Sequence, residues 1–239
     1  MKRSLIIACF LSLLLVSFSG AQARAGFDAA ALCDKYSPAV NEVEKWLAGN
    51  PPLVAGDTIR ERTLKLLDPV LTEKEADMLP CVRDYFFSRM AAFRKDFDAR
   101  KVTEGMSIWK LYNHTAIIKT KDATIAIDLY PGTGLLMLTD EELEALADNI
   151  DVLLITHVHA DHTVPMMAKI FLSKGKKVIA PKGMWQPGGD GAYEMEGYPD
   201  AKLIRSGISN MGSGEFKING TVVKVFGSWQ KEARSNVYL

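Results

Sequence analysis

Several features common in other protein classes are scarce in this chain. Lys+Arg and Asp+Glu each total 29 in 239 residues, and no strongly basic block stands out. A nucleic-acid partner normally requires a basic face or stripe, so that class is excluded. The longest apolar stretch, Ser4 to Phe18, is shorter than the ~20 residues of a membrane-spanning helix, so no stable membrane anchor is expected. The three cysteines include no CxxC pair, so they are not counted as metal ligands. No internal repeat and no low-complexity tract is present. Histidine is scarce as well. There are four, three of them lie between His157 and His162, and none follows His162.

What remains is an ordinary globular composition, 48% hydrophobic and 24% charged, long enough for one large or two small domains. Lys2 and Arg3 form a positive n-region, Ser4 to Phe18 an apolar h-region, and Ala21-Gln22-Ala23 an A-x-A cleavage pattern. Residues 1–23 are therefore expected to be a signal peptide, with a periplasmic or secreted mature protein. Cys9 would leave with it. Export places Cys33 and Cys81 in an oxidising compartment, where a disulfide is the expected state and free buried thiols the alternative.

Residues 24–103 read as a helical N-terminal extension. Leu32, Tyr36, Val40, Val43 and Leu47 recur at helical spacing, with a kink or turn expected at Pro38. Gly49-Asn50-Pro51-Pro52 stops that helix, and Asp57 is placed to cap Thr58 to Leu67. Thr72 to Glu75 has the form of a capping box. Pro80 precedes a helix from Cys81 to about Phe97 with Tyr85, Phe86, Met90 and Phe93 along a core-facing side.

From residue 104 the pattern becomes β-rich. Strands are expected over Ser107–Tyr112, Thr115–Lys119, Thr124–Asp128 and Leu135–Leu138. Thr139 to Glu142 forms a second capping box, opening a helix through Ala147. Val152 to Ile155 reads as a strand buried on both faces. Pro165 opens a helix to about Ser173, and Lys177 to Ala180 returns as a strand. Residues 181–200 form a long loop, rich in glycine, proline and aromatics, suited to a lid or binding rim. Asn219-Gly220 joins two strands in a hairpin.

The chemistry lies in Thr156-His157-Val158-His159-Ala160-Asp161-His162. Imidazole and carboxylate are natural ligands for zinc, with manganese or iron as alternatives. Alternate residues of an extended segment point the same way, so His157 and His159 can share one ion. Asp161 and His162 fall where the chain turns and can hold a second. A bound ion would lower the pKa of its water toward about 7, supplying hydroxide at neutral pH.

A strand, then His-x-His-x-Asp-His, then a helix resembles the metallo-β-lactamase fold superfamily of metal-dependent hydrolases. Thr124-Ile125-Ala126-Ile127-Asp128 is similar to that family's strand ending in a structural aspartate that supports the motif loop. The resemblance implies an α/β protein, an αββα sandwich preceded by the helical region. It also implies His157 and His159 on the first metal, and Asp161 and His162 on the second. Asp161 would in addition steer the attacking hydroxide, or handle its proton, against a small-molecule ester, amide, lactone or phosphoester. The family's second half normally supplies a third histidine, a bridging acidic residue and a last histidine, which have no counterpart here. Gln230 stands near the place of the third histidine. His114, the remaining histidine, is the only other candidate ligand, since it lies between early strands where this fold can approach its metal cleft; a turn or core residue is the favoured reading.

The domain over 104–239 is thus expected to be C-terminally truncated, the first half of the fold with its core face uncovered. Two alternatives stay open: a non-catalytic remnant or binding protein, and completion by a partner chain, including a homo-oligomer.

Overall fold

Asp28 opens the first helix by accepting the backbone N–H groups of Ala30 and Ala31 at 3.1 and 3.0 Å. In the computed structural model, which describes residues 27–50, 58–185, 203–205, 212–230 and 233–239, this helix is α1 (Ala29–Gly49). Pro38 lies within α1 without ending it, with Tyr36 and Val40 buried on either side. Next come α2 (Thr58–Leu64), a 3-10 turn at Lys65–Leu67, α3 (Asp68–Leu71), a second such turn at Ala76–Met78, and α4 (Pro80–Ala99). The signal peptide expected over 1–23, the cap expected from Asp57 and most of the loop expected over 181–200 lie outside the described residues. Among those described, no helix is long and apolar enough to cross a membrane.

The capping box expected at Thr72 does not form. Thr72 closes α3 instead, its hydroxyl donating to the Asp68 and Pro69 carbonyls. Threonine and serine make such backward bonds when a helix end is near, and the bond removes the hydroxyl from capping the next turn. Glu73, between the two capping-box positions Thr72 and Glu75, accepts the Tyr36 hydroxyl at 2.8 Å.

Tyr36, Val40, Val70 and Leu79 form a small core beneath the Cys33–Cys81 disulfide, whose Cα atoms are 5.6 Å apart. The bridge closes a sequence separation of 48 residues and restricts the unfolded chain accordingly. Reducing it is expected to cost about 3 kcal/mol, read as a lower urea midpoint in the presence of reductant. An unchanged midpoint would show that this helical core needs no staple.

The main sheet has six strands in the order of the chain: β1 (Met106–Lys110), β2 (Ala116–Thr120), β3 (Thr124–Ile127), β4 (Val152–Leu154), β5 (Lys177–Ala180) and β6 (Leu203–Arg205). The first three are antiparallel neighbours, and β3 to β6 run parallel. Parallel neighbours need long crossovers. Two of these are helical, α5 (Asp140–Asp148) before β4 and α6 (Pro165–Ser173) before β5. Thr139 and Glu142 do form the capping box of α5.

The strand expected over Leu135–Leu138 is instead a 3-10 turn, Gly134–Leu136, tied back through the Leu138 N–H to the Pro131 carbonyl at 2.9 Å. A Cβ at Gly132 (φ +104°) would collide with the Leu136 carbonyl, so the tight path depends on glycine there. Leu136 and Leu138 are apolar because they are buried in this loop.

Each face of the main sheet has its own cover. On one side Ile117, Ala126, Leu153 and Val178 pack with Phe93 and Phe97 of α4, Leu143 and Leu146 of α5, and Met167 and Phe171 of α6. The helical segment before the strands is therefore joined to the main core through α4. On the other side Ile125, Val152, Leu154 and Ile179 meet Ile218, Val223 and Val225 of a second sheet. That sheet comprises β7 (Ser213–Ile218), β8 (Thr221–Gln230) and β9 (Ala233–Tyr238), all antiparallel. Asn219 (φ 50°) and Gly220 (φ 110°) provide the positive φ angles of the β7–β8 hairpin turn. The protein is thus α/β, with helices, a mixed sheet and a second sheet in successive layers. The core face expected to lie bare is covered by this second sheet. Its outer face carries exposed Val222, Phe226 and Val237.

Candidate metal centre

Strand register gathers the candidate residues at one end of the main sheet. Ala116 pairs with Ile127, and Ile127 with Leu154. The β1–β2 turn holding His114, the residue after β3 (Asp128) and the loop after β4 (Thr156 onward) therefore emerge side by side.

Asp128 is the hub. It is buried and has φ 47°, a left-handed conformation that aspartate tolerates better than most residues. Its N–H donates to the Leu154 carbonyl at 2.9 Å, and its carbonyl accepts the Thr115 hydroxyl at 2.7 Å. Backbone bonds on both sides thus hold the strained residue in place. Its carboxylate accepts three donors: the Thr156 N–H at 2.7 Å, the Thr156 hydroxyl at 2.6 Å and His162 Nδ1 at 2.8 Å. A buried carboxylate without such donors would be strongly destabilising.

These bonds decide where the ring lone pairs point. With its Nδ1–H donating to Asp128, His162 carries its lone pair on Nε2. The Thr156 hydroxyl gives its single proton to Asp128, so it accepts from His157 Nδ1, 3.0 Å away. His157 therefore also carries its lone pair on Nε2. That atom lies 3.0 Å from His159 Nδ1. Two ligands of a tetrahedral zinc ion, each bonded at about 2.1 Å, stand roughly 3.4 Å apart. At 3.0 Å the two nitrogens are in hydrogen-bond contact, and a shared ion would replace that bond at a slightly wider spacing. Burial, followed by the nearby His162 and His159 rings, holds His157 below the ordinary histidine pKa and favours the neutral form a ligand needs.

Ala160 to His162 form a turn closed by the His162 and Thr163 N–H groups on the His159 carbonyl, at 2.9 and 3.1 Å. The turn carries Asp161 outward, and its Oδ2 stands 3.9 Å from His162 Nε2. His114 completes the assembly. Its ring stacks on that of His162 with centroids 3.9 Å apart and 11° between planes, and its Nε2 is 3.5 Å from Asp161 Oδ2. His114 does sit in a turn, as the sequence suggests, but that turn lies against the metal motif. The available signal was its position between two early strands, where this fold can approach its metal cleft.

Two residues that sequence reasoning did not single out tie the second sheet to the motif. The Asn236 N–H donates to the Thr156 carbonyl at 2.8 Å, and the Tyr238 hydroxyl donates to the Ile155 carbonyl at 2.7 Å. Burial raises the Tyr238 pKa far above the ordinary phenol range, so it stays a donor. Gln230 is not brought into the site. It is exposed at the end of β8, opposite Ala233, and no hydrogen bond joins it to the histidines among the described residues. An apolar cleft of about 970 Å³ opens between α1, α4 and β1, and none of the four histidines lines it.

A scan against protein-family models finds no match for this chain, and neither does a search of curated proteins.

Proposed function

We propose that this chain is an exported metal-dependent hydrolase of the metallo-β-lactamase fold, built to bind zinc or a similar divalent ion. The observation that carries the reading is the pair His157 Nε2 and His159 Nδ1, 3.0 Å apart at the end of a buried strand, with Asp161 and His162 beside them. The layer order agrees with that fold, since helices cover one sheet and a second sheet covers its other face. The exposed Val222, Phe226 and Val237 lie where such a sandwich places its second helical layer. The Cys33–Cys81 bridge suits the oxidising compartment that the N-terminal signal pattern implies.

When bound, the ion would supply an acidified water at neutral pH and polarise a carbonyl or phosphoryl oxygen. The chain's own residues do the rest. His157 and His159 hold the ion, and Thr156 and Asp128 fix the ring orientations before anything binds. Asp161, more than half exposed, faces solvent where a small-molecule substrate would arrive, and its carboxylate would steer the attacking hydroxide or handle its proton. Substrate choice among esters, amides, lactones and phosphoesters follows from loops, not from this motif, and β-lactam hydrolysis does not follow from the fold.

The test is a hydrolysis panel of p-nitrophenyl acetate, an acyl lactone and bis(p-nitrophenyl) phosphate. At least one is expected to be turned over, with activity abolished by a chelator and restored by zinc, manganese or iron. Turnover indifferent to chelation, or none on any substrate, contradicts the reading.

A further inference from the structure

His114, Asp161 and His162 each offer one ligand atom, and the three atoms all lie within 4.8 Å of one another. From this convergence we propose that His114 is a ligand: with Asp161 and His162 it forms a three-residue divalent-cation site beside the His157–His159 pair. The inference rests on the reading of this loop as a metal centre and extends it to a residue outside the motif.

The distances separate this role from a simpler one. His114 Nε2 and His162 Nε2 stand 3.5 and 3.9 Å from the same Asp161 oxygen. Hydrogen bonds between such atoms measure about 2.7–3.2 Å. Ligands sharing one ion at about 2.1 Å stand roughly 3.4 Å from each other; the 3.5 Å pair has that spacing, and the 3.9 Å pair would close by about 0.5 Å on binding. An exposed His–Asp ion pair would also be worth little by itself, and these side chains are 50% and 58% exposed.

The position of His114 is built, not incidental. Asn113, at φ 56°, donates from Nδ2 to the Asp161 carbonyl at 2.7 Å, which fastens the β1–β2 turn to the motif turn. On the other side Thr115 is fastened to the Asp128 carbonyl. Asp128 also fixes His162, with Nδ1 committed and Nε2 left to face Asp161. Asp128 thus bears on two of the three ligands, its carboxylate orienting His162 and its backbone carbonyl anchoring the turn that carries His114. Two imidazoles and one carboxylate suit zinc, manganese or iron. Three protein ligands leave a position open on the exposed side for water.

The experiment is isothermal titration of the full chain with zinc chloride, comparing wild type, His114→Ala and His159→Ala. Wild type is expected to show two binding events. His114→Ala should lose one of them or weaken it on the order of 100-fold, while His159→Ala should affect the other. A long-range proton–nitrogen correlation spectrum of histidine-labelled wild type adds a reading independent of any variant's folding: zinc should shift the His114 and His162 Nε2 resonances together. Wild-type zinc binding in His114→Ala, with His114 resonances unmoved, overturns the role of His114 alone. A wild-type chain that takes up no zinc overturns the metal-centre reading as well.

Discussion

Replacing Asp128 with alanine is expected to destabilise the protein by about 5 kcal/mol, even with all metal removed by a chelator. Three donors would lose their acceptor at once: the Thr156 N–H, the Thr156 hydroxyl and His162 Nδ1–H. Each unsatisfied buried donor costs about 1–3 kcal/mol, which sets the scale. Asp128→Asn should lose less, because one amide oxygen still accepts while the amide nitrogen faces donors. The effect reaches beyond stability. Without Asp128, His162 keeps only the longer 3.2 Å contact of its Nδ1 with the Thr156 hydroxyl, and the bond that fixes the Thr156 hydroxyl toward His157 is lost. Urea unfolding of both variants reads the first effect, and histidine ring nitrogen shifts read the second. A loss below about 1 kcal/mol for the alanine variant would mean that the motif loop stands without its aspartate.

His159→Ala is expected to lower kcat/KM by on the order of 10³ on whichever panel substrate the wild type accepts. Loss of an ion that contributes about 4 kcal/mol of transition-state stabilisation has that consequence. Stability should change little, because His159 is only half-buried and its ring bonds one neighbour, His157 Nε2. A wild-type rate in this variant would show that turnover does not use the motif loop, as expected where the loop is a non-catalytic remnant. The comparison therefore separates the two functional classes that the sequence leaves open. A variant that melts far below wild type would instead assign His159 a structural role.

The parts of this fold legible in the sequence are those governed by local chemistry. Pro165 and Ser173 bound α6 as expected, because proline suits a first helical turn. Thr139 and Glu142 cap α5 reciprocally, and Asn219-Gly220 turns the β7–β8 hairpin. Val152 to Leu154 read as a doubly buried strand because both layers press on it. The misread segments have competing local solutions. Thr72 could cap forward or bond backward, and Leu135 to Leu138 are apolar in a buried turn as readily as in a strand. The strand β6, three residues long, gave no periodic signal at all.

The site divides in the same way. The four candidate ligands lie within six positions of the chain and could be read directly. His114 is 47 positions from Asp161 and 48 from His162, and no local pattern links them. The Thr156–Asn236 bond joins strands from different sheets and depends wholly on how the layers stack. Long-range contacts of this kind are set by tertiary packing, so a single histidine in a turn looks the same whether it faces solvent or a metal.

The most direct test of the central claim is zinc retention by the full chain after equilibrium dialysis against zinc and then metal-free buffer. Wild type should retain at least one zinc per chain, and the His157→Ala/His159→Ala double variant should retain less by one. Wild type with no zinc above buffer, or a double variant that retains as much as wild type, would contradict the assignment of His157 and His159 as metal ligands.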